Sequence, residues 1–138
     1  MTDTTTPPTP TPDGPTAESV ADTVDTHLRA YCEPDPAVRS TLVARAWAET
    51  GVLVDPPFDG AGHDGIAAMA DAVLAHYPAH AFERTTDVDT HHTFARYGWS
   101  LVAPDGTAAV TGTDVVELTD DGRIARVIGF FGDLVPAG

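Results

Sequence analysis

Apolar positions change period near residue 78, and that change divides the chain into a helical half and a β half. From Glu18 to Cys32 the residues Val20, Val24, His27, Leu28 and Tyr31 recur at helical spacing on one face. Glu33-Pro34-Asp35-Pro36 ends that pattern and sets Pro36 at the first turn of a second helix running to about Glu49. Its predicted inner stripe is Val38, Leu42, Ala46 and, to one side, Trp47. Gly51 to Asp55 reads as a short strand stopped by Pro56-Pro57, and the following loop delivers the chain into a third helix whose buried side is Ile66, Met69, Val73 and Tyr77. Beyond Pro78 the segments 81–90, 91–103, 107–119 and 123–132 are β-rich. The turn sequences Pro104-Asp105-Gly106 and Asp120-Asp121-Gly122 separate the later ones. Helices first and a meander last predict an α+β architecture, three helices covering one face of a curved antiparallel sheet.

Residues 1–17 lie outside that pattern. They repeat Thr and Pro, have little to bury, and are predicted to form a disordered or extended tail, leaving 18–138 as a single domain. No apolar run approaches the roughly 18 residues that would span a bilayer, and the first thirty residues lack the pattern of a signal peptide. With one cysteine, Cys32, and hence no internal disulfide, a cytoplasmic protein is expected, with Cys32 read as packing.

Composition then removes whole classes of chemistry. The net charge is −14 without any basic cluster, which argues against nucleic acid and anionic membranes as partners. There is no Lys, so Schiff-base and internal-aldimine chemistry and lysine phosphate loops are excluded. Asn and Gln are also missing, so polar contacts in any pocket must come from other side chains or from backbone. A metal site is not expected either. His91 and His92 are adjacent on a predicted strand and should point to opposite faces, and Pro78 breaks the helical spacing of His76 and His80.

Strand alternation sorts the remaining candidates. If Asp114 faces inward, so do Val110, Gly112, Val116 and Leu118, which places a carboxyl in an apolar row where its anion is disfavoured and its pKa raised. That row offers it no obvious local partner. The competing structural role is a salt bridge to Arg96 or Arg126. Asp55, before two prolines, could equally accept backbone bonds from the next loop. Tyr97 and Trp99 share a face and are either pocket wall or core, and His27 is either a donor to a substrate oxygen or a satisfied core histidine.

Four stretches in this order resemble the nuclear transport factor 2-like superfamily, in its SnoaL-like polyketide-cyclase and ketosteroid-isomerase branch: VLVDPP (52–57), GHDGI (62–66), HHTFARYGWSL (91–101) and GTDVVELTDDGRIARVIGFFG (112–132). The resemblance covers about residues 18–133 and implies a cone whose closed pocket holds a small apolar molecule. It implies that Asp55 matches the general-base aspartate of ketosteroid isomerases and Asp114 their proton-donating aspartate. Their oxyanion-hole tyrosine on the first helix has no counterpart in this reading, since a count that allows for a longer connection between the first two helices lands near His27. The implied activity is a cofactor-free isomerase or cyclase moving protons on a polyketide- or terpenoid-like carbonyl compound, with Asp114, Asp55 and His27 as the catalytic set. Trp47, Met69, Tyr97, Trp99, Val110, Val116, Val127 and Phe131 are the expected pocket, roughly a few hundred Å³ if it serves an enzyme, whereas a cavity filled by Trp99, Phe131 and Met69 would favour a non-catalytic module. The other readings are a non-catalytic ligand-binding or assembly domain and an epoxide hydrolase-like enzyme, for which Gly112 stands where an arginine is needed. A homodimer is expected through Phe94, Ile128 and Phe130 on the outer face of the sheet.

Overall fold

The computed structural model describes residues 16–56 and 59–138, so the Thr/Pro stretch falls almost wholly outside the described residues. Helix α1 (Ala17–Ala30) begins one residue inside the expected tail because Thr16 caps it. The Thr16 hydroxyl accepts the Ser19 N–H at 3.1 Å, and the Ser19 hydroxyl accepts the Thr16 N–H at 2.9 Å. Helix α2 (Pro36–Ala46) starts on Pro36 with Asp35 as its cap. It stops short of Glu49, because Trp47 opens strand β1 (Trp47–Val54) instead of closing the helix. Its buried stripe is also rotated from the expected one: Arg39, Leu42, Val43 and Ala46 are buried while Val38 is exposed. The Arg39 guanidinium is used up on the Glu33 and Pro34 carbonyls and on Asp71 at 3.2 Å, so a charged residue can sit where an aliphatic one was expected.

Strand β2 (Asp59–Ala61) and helix α3 (Gly62–His76) follow. The second half is β3 (Ala81–Arg84), β4 (Asp89–His91), β5 (Phe94–Val102), β6 (Ala108–Leu118) and β7 (Ile124–Phe131). One open sheet runs β2-β1-β7-β6-β5-β3, with β4 also paired to β5. It is mixed, not antiparallel throughout: β1 runs parallel to β7, while the other pairings are antiparallel. Its concave face and the three helices enclose a core that includes Val24, Val43, Ile66, Val116, Ile124 and Val127. Each such side chain removed from water contributes about 1.5–3 kcal/mol, against which the loss of conformational entropy must be set. Among the described residues no helix is long and apolar enough to cross a membrane.

Candidate active site

Strand β6 carries Asp114 in the predicted inward row: Gly112, Asp114, Val116 and Leu118 are buried, while Thr111, Thr113 and Val115 are exposed. Register places Tyr97 of β5 opposite Asp114 and Trp99 opposite Gly112. Both aromatic residues turn their polar tips onto the carboxyl. Tyr97 Oη donates to Asp114 Oδ2 at 2.6 Å, and Trp99 Nε1 donates to Asp114 Oδ1 at 2.9 Å. The expectation that Asp114 has no local partner is corrected here, since the partners come from the neighbouring strand. Arg96 pairs with Asp89 on the exposed face and takes no part. Burial raises the Asp114 pKa to about 7, the two donors oppose that rise, and the charge of Asp55 adds to it.

Asp55 follows β1 and reaches the same point from the next strand but one. Gly129 on β7 pairs with Asp114, and a β-carbon there would stand 3.1 Å from Asp114 Oδ1 and would overlap the Asp55 carboxylate. The two carboxyls therefore converge over a bare patch of backbone. Asp55 Oδ1 is buried and has no hydrogen-bond partner among the described residues. Burial raises its pKa to about 6.

Helix α1 and its C-terminal cap residue close the chamber with His27 and Tyr31, one turn apart. Trp47 Nε1 donates to His27 Nδ1 at 3.2 Å, which leaves the ring proton on Nε2, and burial lowers the His27 pKa to about 4. Tyr31 is buried and its hydroxyl has no partner among the described residues; burial first, then the Asp55 and Asp114 charges, push its pKa well up, so it stays a phenol. Tyr31, one helical turn beyond His27, brings a phenol hydroxyl into the same chamber and is a lining residue that sequence reasoning did not place in the site. Its signal was present in the i, i+4 spacing from His27 on the inner stripe.

These groups line an inner chamber of about 30 Å³ with Leu28, Leu53, Phe82, Trp99 and Val127. An adjoining cavity of about 130 Å³ shares Asp55, Phe82 and Trp99 and adds Val73, Tyr77, Leu101, Val110 and Phe131. The space is smaller than expected because rings fill it edge to face: Tyr31 on Phe82 at 5.7 Å, Phe82 on Trp99 at 5.4 Å, and Trp99 on Phe131 at 5.8 Å between centroids. Of the expected pocket residues, Trp99, Val110, Val127 and Phe131 line this space. Trp47, Met69, Tyr97 and Val116 sit behind its walls, in the core. Phe82, which the sequence pattern did not single out, borders both chambers, and its N–H donates to Cys32 Sγ at 3.0 Å. His91 and His92 do not point to opposite faces: His92 has a left-handed backbone (φ 53), and the two Nδ1 atoms lie 3.1 Å apart on the surface.

Among solved structures the chain is similar to a candidate isomerase of the SnoaL-like family from Agrobacterium tumefaciens, at 40% identity over 84% of this chain and 99% of that one, with a TM-score of 0.79. This chain belongs to the SnoaL-like family. Two more distant structures share the fold of this SnoaL-like protein. One is a candidate polyketide cyclase from Sinorhizobium meliloti (20% identity, 83% of this chain and 99% of that one, TM-score 0.64). The other is a nuclear transport factor 2-like protein from Exiguobacterium (16% identity, 81% and 99%, TM-score 0.61). The sequence matches no family model and no curated protein.

Proposed function

We propose that this SnoaL-like chain is a cofactor-free isomerase or cyclase that moves protons on a small, mostly apolar carbonyl compound of polyketide or terpenoid character. The observation that carries this reading is the convergence of Asp55 and Asp114 over Gly129, in a chamber that also holds the unpartnered Tyr31 hydroxyl. Asp55, with a free Oδ1 and a pKa of about 6, is mostly ionised at neutral pH and takes the proton from the carbon beside the carbonyl. The C–H electron pair becomes the C=C bond of the enolate and the C=O π pair moves onto the oxygen. Tyr31 and the protonated form of Asp114 then donate hydrogen bonds to the enolate oxygen. Asp55 returns its proton to a different carbon in an isomerisation; in a cyclisation the enolate carbon attacks a second carbonyl, whose C=O π pair moves onto its oxygen, and that alkoxide takes the proton from Asp55. Tyr97 and Trp99 fix the rotamer of Asp114, and His27 Nε2–H is a further donor on the chamber wall. An ionised carboxylate beside a neutral carboxylic acid is also the pattern of ketosteroid isomerase, which this chain resembles.

The test is exchange of the α-protons of cyclohexanone in D₂O at neutral pH, followed by NMR. Catalysed exchange that falls by about a hundredfold or more in Asp55→Asn is expected. A wild-type protein that binds the ketone without exchanging it would be a ligand-binding module instead. The epoxide hydrolase-like reading draws no support from the site, since Gly112 lies beneath the Trp99 ring and no arginine lines either chamber among the described residues.

On the outer face Phe94, Val115 and Phe130 are exposed, and Ile128 pairs with Val115 between them. This patch supports a homodimer built sheet to sheet.

A further inference from the structure

The wall of the outer cavity pairs one carboxylate with several aromatic rings. Asp55 is the only charged side chain there among the described residues, and Tyr77, Phe82, Trp99 and Phe131 make up half of the lining. Asp55 Oδ1 lacks a partner among the described residues. No cation compensates it: the chain has no lysine, no arginine lines either chamber among the described residues, and His27 Nδ1 is already an acceptor for Trp47. A buried carboxylate in this position is costly until a positive group meets it. Aromatic faces attract cations as well as hydrocarbon, and desolvation strengthens that attraction. In the outer wall the Trp99 N–H is held by Asp114, which leaves the Tyr77 hydroxyl as the one other side-chain donor among the described lining residues.

We propose that the ligand of this cavity carries a protonated amine on a compact apolar body, with the ammonium group held by Asp55 and the body against Phe82, Trp99 and Phe131. The ammonium sits where the two chambers meet, since Asp55, Phe82 and Trp99 border both. A second N–H reaches the Tyr31 oxygen, which is buried, unpartnered and able to accept. The hydrocarbon fills the 130 Å³ cavity. The net charge of −14 draws such cations toward the protein before they enter. This inference rests on the reading that the cavity is the ligand site, and not on its proton-transfer chemistry.

Calorimetric titration with cyclohexylamine and with cyclohexanol compares a cation with a neutral molecule of the same shape. The amine should bind about tenfold tighter or more. That preference should persist at about 0.3 M salt, where attraction to the acidic surface is screened, and the amine should shift the Trp99 indole N–H resonance. Asp55→Asn should bring amine and alcohol to near parity. Equal or tighter binding of the alcohol, absence of amine binding, a preference that fades with salt, or one that survives Asp55→Asn would each overturn the inference. Should Asp55→Asn not fold, Phe131→Ala at the half-exposed mouth decides instead, and it must weaken the amine more than the alcohol. Amine binding without ketone exchange would retire the proton-transfer reading alone, and exchange without amine preference would retire this one alone.

Discussion

The carboxylate of Asp55 occupies the space that a side chain at residue 129 would need, so Gly129 and Asp55 exclude each other's enlargement. The site therefore depends on a residue that has no functional group. Gly129→Ala should displace Asp55 and reduce ketone exchange nearly as far as Asp55→Asn does. Crowding on a buried strand should also cost about 1–3 kcal/mol in a denaturant melt. Unchanged exchange in the folded variant would show that Asp55 is free to move and need not be placed where it stands.

Tyr31 separates chemistry from stability. Its hydroxyl is buried without a partner, so Tyr31→Phe removes a group whose burial costs about 1–3 kcal/mol and should leave the protein as stable or more so. If the hydroxyl stabilises an enolate, exchange should nonetheless fall by about tenfold or more. Loss of stability together with unchanged exchange would remove Tyr31 from the mechanism.

The helical half, the β half and the inward row of β6 were legible because each follows from a period, 3.6 or 2, that burial enforces. What periodicity cannot report is pairing between strands. The Tyr97 and Trp99 bonds to Asp114 arise from the β5–β6 register, and the meeting of Asp55 with Gly129 arises from the parallel pairing of β1 with β7. Arg39 misled the stripe of α2 for a different reason, since its charge is satisfied by backbone carbonyls of a loop that has no hydrophobic signature. Tyr31 was visible as an inner-face residue, but its missing partner is a three-dimensional fact.

The Tyr97 and Trp99 donors decide what Asp114 substitutions do. Asp114→Leu would strand the Tyr97 hydroxyl and the Trp99 N–H in the core, each a penalty of about 1–3 kcal/mol, so it should destabilise even if Asp114 is catalytic. Asp114→Asn keeps one acceptor and the volume and should melt closer to wild type. Adding Tyr97→Phe to Asp114→Leu should recover part of the loss, and denaturant melts of the three variants check it. A double variant less stable than Asp114→Leu would mean that Tyr97 is held by packing alone.

A sheet face that exposes Phe94, Val115 and Phe130 makes association testable by one charge. Phe130→Asp on the outer face of β7 leaves the inward residues Val127 and Gly129 untouched, so it should yield a folded monomer by light scattering with ketone exchange retained. A wild type that is itself monomeric across concentrations would remove the sheet-to-sheet dimer.

The pH dependence of stability has opposed contributions. Asp114 and Asp55 have folded pKa values raised to about 7 and about 6, above the 3.8 of the free group. In the window between, the folded state binds more protons than the unfolded one. Their contribution is therefore fully present below about 4 and is lost as pH rises through 6 to 7. His27 is lowered from 6.5 to about 4, so its contribution has the opposite sign and grows over much of the same window. In the wild type the histidine offsets part of the carboxyl effect and blurs both. Comparing wild type with Asp114→Asn isolates the carboxyl: the stability of wild type relative to the variant should decline from about pH 4 to about pH 7 and level off above that. The measurement is a series of denaturant melts across that range. A difference that instead rises with pH would mean that Asp114 is held ionised by Tyr97 and Trp99, and would reassign it from proton donor to fixed negative charge.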